Sequence, residues 1–233
     1  MKRALCIGLN YPGTAYQLGG CVHDAELLAK AMQDGGANVN LLRNVCSAED
    51  FLRALETYKS IQKKADALYL SYSGHGTQWE ENGQWHEGIC LYNGTLIEVL
   101  SDADFNAALS HIPGTVIVLL DSCFSGGMER AVAFPGHVRK YIAFDPKTMT
   151  IVKPRLSKAT VPQQKRINMF ACAKAEVSWD LGTNGLFTAK LMEAYAAGAR
   201  TVGKLMLKAY KGCVPDQHPV VTYAGTTGNK RIF

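Results

Sequence analysis

The sequence predicts an α/β fold: about six strands, mostly parallel, in a sheet flanked by helices. Three observations carry that expectation. Short aliphatic runs at 67–70 and 115–120, bounded by Gly and Pro, read as strands buried on both faces. Amphipathic helical stretches alternate with such runs along the chain, which is the grammar of βαβ units. The 233 residues are 47% hydrophobic and 19% charged, enough apolar material for one sizeable core.

Taken in order, residues 4–9 read as a first strand. Residues 24–34 follow as a helix with Ala25, Leu28, Ala29 and Met32 on one face, ended by Gly35-Gly36. Residues 39–42 make a second strand. Ser47-Ala-Glu-Asp50 is a capping box ahead of Phe51, Leu52, Leu55 and Tyr58, so a second helix returns the chain to the sheet. The strand at 67–70 closes on Ser71-Tyr-Ser-Gly-His75-Gly76. A polar stretch through Gln84, a hairpin across 89–99 and a helix over 102–111 come next. The strand at 115–120 closes on Asp121-Ser-Cys123-Phe-Ser-Gly126-Gly127. The last third reads as a strand at 167–173, helices at 185–197 and 201–211, and a strand at 219–223. No internal repeat is visible, and 1–233 reads as a single domain.

Composition narrows the function classes. The N-terminus runs directly into a strand-like segment without the pattern of a signal peptide, and no run approaches membrane-spanning length, so no membrane partner is expected. Seven cysteines, odd in number and scattered, form no CxxC pair or zinc-like spacing, which suits a reducing cytoplasm. The net charge of +5 owes much to residues 140–166, where Lys147, Lys153, Arg155, Lys158, Lys165 and Arg166 lie among three prolines. That stretch reads as a long exposed loop. It has no interleaved aromatic platform, so a nucleic-acid partner is not expected.

The chemistry concentrates at two strand ends. His75 precedes Cys123 by roughly 50 residues, and each begins where an aliphatic run stops. In open α/β sheets the carboxyl ends of the strands face the ligand crevice, so the two side chains can converge there. A thiolate is the reactive form of cysteine, and an imidazole can take its proton or protonate a leaving group. Residues two apart share a strand face, which groups Asp121 with Cys123 and Ser73 with His75. Attack on a carbonyl also needs donors for the developing oxyanion, and the backbone N–H groups of Gly76 and Cys123 are placed to supply them. The ordinary alternatives are a packed core thiol and a hydrogen-bonded structural histidine; their joint occurrence in Gly-flanked strand ends favours a shared site.

Tyr72-Ser-Gly-His-Gly76 and Asp121-Ser-Cys-Phe-Ser-Gly126 resemble the His and Cys motifs of caspase-like cysteine peptidases, specifically the metacaspases and prokaryotic orthocaspases. The resemblance extends to Gly20-Cys-Val-His-Asp24-Ala, Gly185-Leu-Phe-Thr188 and Gln217-His-Pro219. It implies the caspase-hemoglobinase fold, with a large-subunit-like part over 1–130, a basic loop over 131–166 and a small-subunit-like part over 167–233. It makes Cys123 the nucleophile, His75 the general acid/base, and Gly76 and Cys123 the oxyanion donors. Asp121 stands where caspases carry the glutamine of Gln-Ala-Cys, and Asp24 matches a second pocket acid of metacaspases. Two carboxylates suit a guanidinium or an ammonium, so cleavage of protein or peptide substrates after Arg or Lys is expected. Asp24 equally reads as a helix N-cap, and Ser73 as a pocket liner or a turn residue.

The resemblance also raises self-cleavage in the basic segment between Cys123 and Ile167, which holds Arg130, Arg139, Lys140, Lys147, Lys153, Arg155, Lys158, Lys165 and Arg166. Calcium activation is disfavoured: Glu87, Asp102 and Asp104 remain of the expected acids, but Arg130 stands where a later one belongs, and no cofactor is expected. A monomer is favoured. The rival readings are a catalytically silent or zymogen-like caspase-fold interaction domain, a legumain- or gingipain-type enzyme, and a redox sensor using Cys123 with Cys21 as its candidate partner.

Overall fold

The computed structural model describes residues 1–123, 136–155, 164–174 and 176–233. The chain begins with β1 (Lys2–Gly8), α1 (Cys21–Asp34), β2 (Asn38–Arg43), α2 (Ala48–Ile61) and β3 (Ala67–Ser73). It continues through β4 (Gly76–Glu81), β5 (Gln84–Tyr92), β6 (Ile97–Ser101), α3 (Asp102–Ser110) and β7 (Thr115–Asp121). After β8 (Val138–Arg139), β9 (Met149–Val152), β10 (Lys165–Phe170) and β11 (Trp179–Asp180) come α4 (Leu186–Ala196), α5 (Val202–Cys213) and β12 (Val220–Ala224).

A six-stranded sheet in the order β12-β10-β7-β3-β1-β2 forms the centre. Its pairings are parallel except for β12, which runs antiparallel to β10 at one edge. β3 and β7 lie inside the sheet and are buried at every position, which is why their sequences are unbroken apolar runs rather than alternating ones. Their side chains still alternate between two cores. Leu68, Leu70, Val116 and Val118 face Phe51, Leu55, Phe105 and Leu109 from α2 and α3. Tyr69, Ile117 and Leu119 face Ala25, Leu28, Phe187, Leu191 and Leu205 from α1, α4 and α5. The Ser47 capping box forms as the sequence predicts, its hydroxyl accepting from the Asp50 N–H. No helix among the described residues is long and apolar enough to cross a membrane.

Three expectations change. α1 starts at Cys21 with Gly20 as its N-cap, so Asp24 lies within the first turn and does not cap the helix. The polar stretch through Gln84, to which the sequence reading gives no element, is paired strand: β4 and β5 form a hairpin about Asn82-Gly83, both at positive φ (55° and 76°), the pairing a two-residue type I′ turn demands. This hairpin belongs to a second, four-stranded sheet in the order β4-β5-β6-β9. The basic stretch is likewise not an exposed loop throughout. It contributes β8 and β9, and Lys140 within it is completely buried. Arg130 and Lys158 lie outside the described residues.

Candidate active site

β3 and β7 are neighbours, with Ser73 opposite Asp121, so the chain leaves the sheet from both strands at one level. His75 and Cys123 therefore emerge at the same sheet end. The His75 backbone is clamped by two buried tyrosines: its N–H donates to the Tyr11 hydroxyl (2.9 Å), and its carbonyl lies 2.7 Å from the Tyr72 hydroxyl. Tyr11, held at a φ of 49°, also brings its ring centroid 4.9 Å from that of His75. The imidazole Nε2 is 2.8 Å from the Tyr16 carbonyl oxygen. A carbonyl only accepts, so the neutral ring carries its proton on Nε2. Nδ1, buried and without a hydrogen-bond partner among the described residues, holds the lone pair. Burial lowers the His75 pKa from 6.5 to about 4, against the opposing pull of the Tyr16 carbonyl. The ring is neutral at pH 7.

Cys123 is fully buried, and the reason is a segment of the chain itself. Residues 138–142 cross the site extended. β8 pairs antiparallel with β11, Val138 opposite Asp180 and Arg139 opposite Trp179. The Lys140 N–H donates to the Ser178 carbonyl (2.9 Å), and the Ile142 N–H donates to the Gly76 carbonyl (3.1 Å). Between those bonds, the Lys140 carbonyl oxygen accepts from two N–H groups, those of Gly76 (3.0 Å) and Cys123 (3.2 Å). The Cys123 sulfur in turn accepts from the Ser178 N–H.

The Lys140 side chain enters a pocket between the two motifs. Its Nζ lies 3.0 Å from Asp24 Oδ2, 3.1 Å from Asp121 Oδ1 and 2.8 Å from Ser73 Oγ. Lysine and both acids are 0% exposed. Asp24 also accepts from the Ser73 hydroxyl (2.7 Å), the Asn184 amide (3.0 Å) and the Gly185 N–H (2.9 Å). Asp121 accepts from the Ser178 hydroxyl (2.6 Å) and from the Thr188 N–H and hydroxyl (3.1 and 2.7 Å). A side chain on Gly185 would collide with both the Asp121 carboxylate and the Lys140 ammonium, so the pocket wall there must be glycine. Burial raises the Asp24 pKa from 3.8 to about 6, with Lys140 opposing and Asp121 reinforcing the rise. For Lys140, burial is the largest influence and works to lower the pKa. Asp121 and Asp24 outweigh it and hold the pKa well above its ordinary value.

The structure thus brings Asp24, Asp121 and Ser73 around one cation, and the N–H groups of Gly76 and Cys123 onto one carbonyl oxygen. Cys21 is buried beside Ser73 and Asp24, whereas the thiol beside Cys123 is Cys172. Sequence reasoning missed Tyr11, Ser178 and Asn184; it gave Tyr72 only as the first residue of the His motif and Lys140 only as one of nine basic residues around which self-cleavage would fall. It also missed Asp180, whose carboxylate accepts from the N–H groups of Gly19 (2.7 Å) and Gly182 (2.8 Å) and ties the start of α1 to the loop before α4. The Thr188 signal was present in the Gly185-Leu-Phe-Thr188 motif. Among the described residues, no three His, Cys, Asp or Glu side chains gather as a metal site. Asp104 is occupied by the Ser101 hydroxyl (2.7 Å), and the charge of Lys174 acts on Glu87.

Comparison with known proteins places this geometry in context. A family model described as a caspase domain matches residues 1–224. Metacaspase-7 of Arabidopsis thaliana is 32% identical over 143 residues, 54% of this chain and 35% of that protein. Metacaspase-2 of Trypanosoma brucei brucei is 28% identical over 145 residues, 54% of this chain and 42% of that protein. The matched stretches thus cover well under half the length of these curated relatives. The crystal structure of protein GSU0716 from Geobacter sulfurreducens superposes with a TM-score of 0.80 at 23% identity, covering 99% of this chain and 97% of that one.

Proposed function

Since this chain belongs to the caspase-domain family of peptidases, we propose that it is a cysteine endopeptidase that cuts after Lys or Arg and first cuts itself after Lys140. One observation carries the reading: Lys140 lies in the pocket as a substrate residue would. Its ammonium meets two carboxylates while its carbonyl oxygen receives the Gly76 and Cys123 N–H groups. The flanking strand pairing of β8 with β11 is the extended conformation in which proteases hold peptides.

In this reading the Cys123 sulfur attacks the carbonyl carbon of the bond after the bound Lys or Arg, and the thiol proton passes to His75 Nδ1. The carbonyl π electrons move to oxygen, where the two backbone N–H groups stabilise the negative charge; one such donor is worth about 10²–10³ in rate. The imidazolium then gives its proton to the departing amine as the C–N bond breaks. Water, deprotonated by the same histidine, releases the acyl group from sulfur. Asp24, Asp121 and Ser73 select the cation, and the Tyr16 carbonyl fixes the tautomer that leaves Nδ1 free to act. With Lys140 in place no other substrate fits, so cutting Lys140–Tyr141 would vacate the pocket.

The test is hydrolysis of fluorogenic peptides ending in Arg, Lys or Asp by the wild-type chain and by Cys123→Ala, with and without calcium. It is paired with sequencing of any new N-terminus formed during incubation. Turnover after Arg or Lys that disappears in Cys123→Ala, with a new terminus at Tyr141, is expected. Turnover after Asp, or persistence of activity in Cys123→Ala, would overturn the mechanism. An intact, inert chain even after an added protease has cut the 138–142 segment would favour the silent interaction domain.

A further inference from the structure

β10 runs parallel to β7, Phe170 opposite Leu120, and the ladder extends one bond further, from the Ala171 N–H to the Leu120 carbonyl (2.9 Å). The next residue is Cys172. Its sulfur lies 3.9 Å from the carbonyl oxygen of Ser122, the peptide group leading into Cys123, and 3.6 Å from that of Glu176. The Cys123 side chain is the strongest influence on the Cys172 proton, so the two thiols are neighbours. Continued by two residues, this register sets Cys172 beside Ser122, one residue before Cys123, on strands about 4.8 Å apart.

Cys172 differs from the other cysteines. All seven are reduced; six are buried, and Cys172 alone is partly exposed. It lines a cavity of about 340 Å³ bordered by Phe105, Leu120, Phe170 and Thr222. Cys172 thus borders the cavity on one side and Cys123 on the other, so a peroxide small enough to enter the cavity comes within one side chain of the Cys123 sulfur. The neighbouring Cys123 side chain and burial hold the Cys172 pKa well above the ordinary thiol value.

We propose that Cys172 is the resolving thiol of Cys123: a hydroperoxide oxidises Cys123, and Cys172 captures the product as a reversible disulfide. The Cys123 thiolate attacks a peroxide oxygen, the O–O bond breaks, and the leaving alkoxide or hydroxide takes up a proton, giving a sulfenic acid. The Cys172 sulfur then attacks that sulfur, an S–S bond forms, and hydroxide departs with the Cys172 proton as water. Two thiols are oxidised and one peroxide is reduced. That this switches off a peptidase rests on the reading above; the disulfide chemistry does not.

The experiment treats the full chain with one equivalent of hydrogen peroxide, alkylates the remaining thiols, and maps the peptides by mass spectrometry. A linked Cys123–Cys172 peptide lacking two hydrogens, released by dithiothreitol, is expected. In Cys172→Ser and Cys172→Ala the link is absent, and one equivalent leaves Cys123 a single oxygen heavier as a sulfenic acid that dimedone traps; a second equivalent adds the second oxygen, which dithiothreitol does not remove. Oxidation of wild-type Cys123 without a link to Cys172, or a link to another cysteine, overturns the proposal whether or not either variant folds. Because the readout is mass, a disulfide formed in a chain without peptidase activity would sink the functional reading and leave this one standing.

Discussion

Lys140 and Lys153 come from one basic stretch of sequence, yet the fold treats them oppositely. Lys140 is wholly buried between Asp24, Asp121 and Ser73, whereas Lys153 is 68% exposed and meets one carboxylate, Glu81, at 2.9 Å. Nothing in the side chain distinguishes them. The backbone does: the Lys140 N–H donates to Ser178 and its carbonyl accepts from Gly76 and Cys123, which aims the side chain into the pocket. A buried cation is tolerated only where opposite charges are already fixed, and here both acids are themselves held by N–H and hydroxyl donors. A charged run therefore says little until the backbone register is known.

The largest effect expected from this contrast is in Lys140→Ala. It leaves two buried carboxylates facing one another, so urea unfolding at pH 7, in a Cys123→Ala background that prevents cleavage, should show a loss of about 3–5 kcal/mol. An unchanged midpoint would mean that water reaches the pocket and the pair is not truly desolvated. A smaller effect follows from acid. Lys140 works to lower the Asp24 pKa, so withdrawal of the lysine raises that pKa above about 6, and the open state binds the extra proton. Opening is thus favoured as pH falls from the higher pKa of the open state towards about 6, by at most about tenfold per pH unit, and levels off below it. Hydrogen exchange of the Lys140 N–H, corrected for intrinsic rate, checks this; exchange independent of pH would locate the controlling group elsewhere. The smallest effect belongs to Lys153→Ala, whose pair is solvated and screened. Its urea midpoint should coincide with that of the parent chain, and a clear drop would show that β9 needs this pair to stay on β6.

Much of the scaffold was legible. The aliphatic runs of β3 and β7 betray burial on both faces, and the Ser47 capping box marks a helix start by local chemistry alone. The two strand-end motifs were legible for the same reason: a residue type and a strand terminus are both local signals. The β4–β5 hairpin was missed although Asn82-Gly83 announces it, because Glu80, Glu81, Gln84 and Trp85 beside the turn lack the apolar alternation of a half-buried strand. The start of α1 was misplaced because its first turn is fixed by Asp180, which accepts from the Gly20 N–H from far along the chain. Lys140 was hidden most deeply. Its burial depends on three partners, from α1, β3 and β7, and no window of sequence contains them together.

The strand order also decides what breaking the chain beside Lys140 can and cannot separate. β10, which follows that point, lies between β7, which precedes it, and β12. β9 is likewise stitched to β6 along four residue pairs, whereas β8 is held by two. A break there severs covalent continuity without severing the fold. The two pieces remain interleaved in one sheet, and the shortest-laddered flap, residues 138–140, is the end set free to swing.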